Sequence, residues 1–313
     1  MRRIVTLEVR GSRLIGTHHD PGASTARDAV GVLLLSFGQQ PRAWVGDLGV
    51  HIADRLCDAG YPTFRFDMPG LGDSPGELPV HLEILWRTIQ DGAHEAAARD
   101  LSRQLRQRYG LSGLVLGGFC GGAVTASLAA DPSGTDSAGL ILLEPEVSLV
   151  PTPARPTPVH EVDSVTSYLE RWELIKDRVR SPRSWLRLLT GKSDLRYWQG
   201  LVRYAIRRAR ERLANQELPP DLNVHMIDAL ARVARRKLPT LIVSVGIPSR
   251  RKYYAEYGFL PGVSDPQKGI TWIEVTGTTH AMLAGGAKEA TPLHVVRWMK
   301  ERFPAGERSR RAS

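Results

Sequence analysis

The chain has 313 residues, of which 42% are hydrophobic, and a formal net charge of +9. That is enough apolar material for one large α/β domain or two smaller ones, while no apolar run approaches the roughly 20 residues that span a bilayer. With only Cys57 and Cys120, a disulfide framework and a cysteine-built zinc site are excluded. The short apolar stretch behind Met1-Arg2-Arg3 does not make a signal peptide. The expectation is a cytoplasmic protein with no transmembrane segment, no metal and no organic cofactor.

In chain order, Val5, Leu7 and Val9 alternate with Thr6, Glu8 and Arg10, and Leu14-Ile15 follow. This predicts an N-terminal hairpin. His18 and His19 are then read as an exposed loop, with a ligand pair as the competing reading. The continuous apolar run Val30–Phe37 predicts a strand buried on both faces. Val45, Leu48, His51, Ile52 and Leu56 space an amphipathic helix over 45–59, which puts Cys57 in the core. Tyr61–Phe66 is the next strand and runs into Asp67-Met68-Pro69-Gly70-Leu71-Gly72-Asp73-Ser74. No helix opens on Gly72, so a phosphate-binding reading of these glycines is weak. One long helix is expected over 83–109.

The following strand, Gly139–Leu143, ends in Glu144-Pro145-Glu146. Prolines crowd residues 150–158 and mark a boundary. Residues 159–237 read as helical, with candidates at 164–178, 182–190, 194–216 and 222–236. Residues 151–237 hold 18 Lys and Arg against 10 Asp and Glu, so nearly all the net charge lies there. Trp172, Trp185, Trp198 and Trp272 are expected to be packing residues. Strands return at Pro239–Val245 and Ile270–Val275, His280 follows the second, and a last helix covers 291–303. The division expected is 1–149 and 238–305 as two parts of one core, 150–237 as a basic helical cap, and 306–313 as a disordered tail.

The densest chemistry lies at residues 113–124, Gly-Leu-Val-Leu-Gly-Gly-Phe-Cys-Gly-Gly-Ala-Val. A short apolar run, four glycines around one cysteine and an alanine-rich segment read as strand, tight turn and helix. Gly118-x-Cys120-x-Gly122 resembles the nucleophile elbow of α/β-hydrolases, with cysteine for the usual serine. A nucleophile on so strained a turn needs neighbours without side chains two residues away. The helix that follows aims its N-terminal N–H groups at the reacting oxygen. The competing reading is a Gly-rich turn around an inert cysteine.

The Asp67…Ser74 turn, the cysteine elbow and His280, in that order, resemble the α/β-hydrolase superfamily. The resemblance implies a mostly parallel sheet flanked by helices with an inserted helical cap. It implies Cys120 as nucleophile, His280 as base, and an oxyanion hole from the N–H groups of Gly121 and Gln39. The acid usually follows the strand that is here Thr240–Val245, but no carboxylate occurs there before Glu256. Some lipases place it after the preceding strand, so Glu144 is the choice, with Glu146, Asp265 or a bare Cys–His dyad as alternatives. An adjacent imidazole and a helix N-terminus favour the thiolate form of a cysteine over the thiol, whose ordinary pKa is roughly 8.5.

Dienelactone hydrolases share a partly similar elbow but lack a large cap. Polyhydroxyalkanoate synthases share the cysteine but keep an Asp-containing acid motif absent here. Exosortase-system-associated hydrolases are the most similar, through the cysteine elbow, the Leu142-Leu143-Glu144-Pro145 phrase and a cap phrase from Tyr168-Leu169 to Trp185–Lys192. The function implied is an acyl ester or thioester hydrolase or acyltransferase. The substrate would be presented by an acyl carrier protein or coenzyme A docking on the basic cap. A solvated Arg-rich face is the bland reading of that charge. Nucleic-acid binding lacks any interleaved recognition motif. A non-catalytic scaffold is the alternative, motivated by the missing acid.

Overall fold

The computed structural model describes residues 1–22, 29–130, 137–149, 222–245 and 269–304. Eight strands form one sheet: β1 (Arg2–Val9), β2 (Ser12–His19), β3 (Val30–Leu35), β4 (Thr63–Phe66), β5 (Gly113–Phe119), β6 (Ser137–Leu143), β7 (Thr240–Val245) and β8 (Ile270–Val275). Their spatial order is β1-β2-β4-β3-β5-β6-β7-β8. β2 pairs antiparallel with both β1 and β4, and every pairing from β4 to β8 is parallel. The β1–β2 hairpin turns through Arg10 and Gly11, both at positive φ, as a two-residue loop of matching twist requires.

Six α-helices are described: α1 (Leu48–Asp58), α2 (Leu82–Gln90), α3 (Glu95–Tyr109), α4 (Gly121–Ala129), α5 (Val224–Arg235) and α6 (Ala287–Arg302). The period of two along the strands sorts their side chains. Val32, Leu34, Val115, Ile141, Leu143, Leu241 and Val243 pack in one cluster with Ile52 and Leu56 of α1 and Trp298 and Met299 of α6. On the opposite face α4 lies against β5 and β6, flanked by α2, α3 and α5. The central parallel strands β3, β5, β6 and β7 are buried on both faces, which is why they read as nearly unbroken apolar runs.

Three expectations are corrected. The helix expected over 83–109 is two helices, because Asp91–His94 turns away with Gly92 at φ 93°. A residue with no Cβ adopts that angle without strain. His18 and His19 are buried strand residues rather than an exposed loop, since β2 lies between β1 and β4. His51, counted on the apolar face of α1, points to solvent.

The chain divides into two units, Met1–Glu161 with Asn223–Ser313, and Val162–Leu222. The helix expected at 222–236 is α5, which groups with the first unit and not with Val162–Leu222. The Pro-rich link, the candidate helices at 164–178, 182–190 and 194–216, Trp172, Trp185, Trp198, Glu256, Asp265 and the tail at 306–313 lie outside the described residues. Among the described residues, no helix is long and apolar enough to cross a membrane.

Candidate active site

The site is built where β5 ends. Cys120 sits between β5 and α4 at φ 51°, ψ −115°, a backbone conformation that L-residues avoid. It is held there by its N–H, which donates to the Leu143 carbonyl of β6 (2.9 Å), and by its own carbonyl, which accepts from the N–H groups of Ala123 and Val124 (3.0 and 3.2 Å). The glycines answer to steric demands. A Cβ on Gly118 would lie 2.1 Å from the Gly122 carbonyl carbon, and one on Gly122 would lie 2.8 Å from the Leu35 carbonyl oxygen. The helix therefore crosses the strand end too closely for any side chain at either place.

Two other loops at the same end of the sheet contribute a buried pair. Glu144, fully buried and at φ 47°, follows β6 directly. Its Oε2 accepts from His280 Nδ1 at 2.9 Å, and its Oε1 accepts from the Val245 N–H at 2.6 Å. His280, 2% exposed, also has its ring centroid 5.1 Å from that of Phe119, the residue before the cysteine. Burial works against a charged imidazole here. It is outweighed first by the negative charge and hydrogen-bonding capacity of Cys120 and then by Glu144, and the His280 pKa is pushed up to about 10. His280 Nε2 is buried and reaches no partner at full hydrogen-bond geometry, so Cys120 acts on the ring mainly through its charge. Such bonds commonly tighten only when substrate binds.

The loop after β3 closes the remaining side. The Gly38 nitrogen lies 3.7 Å from the point a Cβ on Gly121 would occupy, so this loop abuts the start of α4. Among the described residues, no protein acceptor takes the N–H of Gly121 or of Gln39. The first N–H groups of a helix have no intrahelical partner and suit an anion. The Glu146 carboxylate accepts from the Ser148 N–H at 3.1 Å.

Sequence reasoning passed over three contributors. The Val245 N–H fixes the second oxygen of Glu144, and a backbone donor leaves no mark in a sequence. Asn223 caps α5 through Met226 (3.0 Å), donates to the Gln90 carbonyl (2.9 Å), and donates its N–H to the Val147 carbonyl (2.8 Å), pinning the loop after Glu144. Arg42 is paired with the fully buried Asp67. An arginine between a Gly-Gln-Gln-Pro loop and an acidic turn was the available signal. Cys57 is partly buried in α1, and burial first, then nearby carboxylates, raise its pKa, which makes it a poor nucleophile. Among the described residues, no group of three or more His, Cys, Asp or Glu is placed to hold a metal ion.

The family model for the alpha/beta hydrolase family matches residues 32–300. The chain belongs to the alpha/beta hydrolase family. It is accordingly a hydrolase-class enzyme, with the strand–elbow–helix core of that fold. Among curated proteins nothing matches it. Solved structures similar over 97% of this α/β-hydrolase include DcsB bound to a substrate analogue, at 14% identity, 100% coverage of that chain and a TM-score of 0.58. Others are a lidless α/β serine hydrolase of Xanthomonas campestris (12%, 96% and 0.54) and an esterase of Pyrococcus furiosus (12%, 92% and 0.55). At these identities the likeness is one of fold.

Proposed function

We propose that this hydrolase cleaves or transfers acyl groups from esters or thioesters through an acyl-cysteine on Cys120. His280 is the general acid and base, Glu144 the acid that holds it, and the N–H groups of Gly121 and Gln39 the oxyanion hole. The observation that carries this reading is the fully buried Glu144–His280 hydrogen bond at 2.9 Å beside the cysteine elbow. A scaffold has no need of a buried carboxylate bonded to a histidine at the cysteine elbow.

The steps follow from the charges. The Cys120 thiolate attacks the carbonyl carbon, and the oxygen gains negative charge that the two N–H groups stabilise. As the bond to the leaving alkoxide or thiolate breaks, His280 gives that group its proton. Acylation neutralises Cys120, the strongest influence raising the imidazole pKa. The ring can then take a proton from water or an acceptor alcohol, amine or thiol that attacks the thioester. Glu144 stabilises the imidazolium each time it forms and keeps Nδ1 as a donor. Breakdown of the second tetrahedral adduct returns the thiolate.

The cysteine favours transfer, because a thioester passes its acyl group on more readily than an ester. The basic 150–237 segment supports an acidic donor, an acyl carrier protein or coenzyme A. The elbow and cap phrases support the exosortase-associated hydrolases as the subgroup. Intact-mass spectrometry after exposure to p-nitrophenyl esters and acyl-thioesters tests the chemistry. An acyl adduct on Cys120, absent in Cys120→Ala and persistent in His280→Ala, is expected. No adduct from any donor, with ordinary reactivity of Cys120 toward iodoacetamide, overturns the proposal. Loss of turnover of carrier-bound donors with rising salt is expected for electrostatic docking, and salt-insensitivity removes that part alone.

A further inference from the structure

Arg42 lies three residues after Gln39, and the structure bonds it through its N–H, its carbonyl, Nε and Nη1. Its backbone N–H donates to Asp67 Oδ1 at 2.5 Å, and its carbonyl accepts from Arg65 Nη1 at 2.9 Å. Its Nε donates to Thr17 Oγ1 at 3.1 Å, and its Nη1 bonds both Asp67 Oδ2 and Asp73 Oδ2, the latter at 2.7 Å. Asp67 is fully buried and also accepts from the Asp73 N–H at 3.1 Å. Gly72 must lack a side chain for this, since a Cβ there would lie 2.4 Å from Asp67 Oδ2. The partners come from β2, from β4 and from the turn after β4. One residue thus ties the loop after β3 to three other segments.

What needs such a tether is set by the chemistry next to it. An oxyanion donor works only if it already points at the place where charge develops, and a displacement of about 1 Å costs on the order of 10²-fold in rate. The loop from Ser36 to Pro41 spans two glutamines and a glycine at φ 52°. At its near end the Ser36 N–H donates to the Phe66 carbonyl (3.1 Å) and its Oγ accepts from the Met68 N–H (2.9 Å). Gln40 folds back on Phe37 through its N–H at 2.8 Å. Arg42 is the anchor at the far end.

We infer that Arg42 is a positioning residue, which through its bonds to Asp67 and Arg65 holds the Gln39 N–H in register with the Gly121 N–H. The inference rests on the acyl-cysteine reading given above. Its consequence is selective. Reactions of Cys120 that build an oxyanion depend on Arg42, and reactions of the same sulfur that build none do not.

The test measures two rates on the full-length protein: acylation of Cys120 by a p-nitrophenyl ester, and alkylation by iodoacetamide, which forms no oxyanion. In Arg42→Ala, acylation is expected to fall about 10- to 100-fold while alkylation changes by less than about 3-fold. Arg42→Lys, which keeps the cation but loses the fork, is expected to recover part of the acylation rate. Asp67→Asn, close to Asp67 in shape, is expected to repeat the Arg42→Ala pattern more weakly and covers the case in which Arg42→Ala fails to fold. Wild-type acylation rates in folded Arg42 and Asp67 variants overturn the inference alone. A parallel fall of both rates also overturns it, by showing general damage to the elbow. Absence of acylation in the unaltered protein overturns the acyl-cysteine reading, and this inference with it.

Discussion

Two buried histidines carry the same first contact but different charge. His280 Nδ1 lies 2.9 Å from Glu144 Oε2, and His19 Nδ1 lies 2.9 Å from Asp54 Oδ1. Both rings are almost fully buried, 2% and 1% exposed. Yet His280 is pushed up to about 10, while His19, through burial and then the Arg65 guanidinium, is lowered to about 4. The difference lies at the other nitrogen. His280 is raised first by Cys120, whereas His19 Nε2 accepts from Arg65 Nε at 3.0 Å. A carboxylate at Nδ1 orients an imidazole in either case, and what stands at Nε2 decides whether it is an acid or a neutral strut.

The most damaging way to break the comparison is at the active pair. Cys120→Ala is expected to abolish acyl-adduct formation, and Glu144→Gln to lower ester turnover by roughly 10²–10⁴-fold, measured by initial rates. If Glu144→Gln instead left turnover within about 2-fold, the acid would have to be found elsewhere. Next in size is Gly118→Ala, which drives a methyl into the Gly122 backbone. It should cost more than about 3 kcal/mol, read as a fall in denaturation midpoint.

The charges themselves are tested by pH. The His280 ring resonances should stay those of imidazolium from about pH 6.5 up to about 10, and in Cys120→Ala the transition should move down, because the strongest raising influence is gone. His280's own share of stability is full below its unfolded value of about 6.5 and fades as pH rises through about 10. His19 runs the other way. Its folded pKa of about 4 lies below the unfolded value, so its share is full above about 6.5 and is lost as pH falls toward 4. His19→Gln should flatten that acid limb of a stability profile. The smallest effect is expected from Glu146→Gln, which should leave turnover within about 2-fold and change stability by under about 1 kcal/mol, since the Ser148 N–H it accepts from lies two residues on in the same loop and a neutral amide oxygen can still accept that bond.

Much of the fold was legible because strand burial and helix amphipathicity write themselves into local sequence. All eight strands fall on or within two residues of apolar stretches, or adjoin them as β1 and β2 do. The elbow was legible because its glycines are dictated by clashes inside one strand–turn–helix unit. The breaks were less so. The Gly92 turn divides a segment whose composition favours one helix, and alternation alone could not show that β2 continues through His18 and His19 to pair with β4.

What the sequence determined by itself was the order of elements, the strained cysteine turn and the presence of His280 just past the last strand. The tertiary structure decided which carboxylate meets that histidine. Glu144 and His280 are 136 residues apart in the chain, and β7 lies between their strands. They meet because parallel strands end at one edge, where the Val245 N–H turns Glu144 toward the ring. The charge on each histidine is likewise set across the fold. Cys120 and Arg65 reach the two rings only once the sheet is assembled, and electrostatic influence follows distance and burial rather than position along the chain.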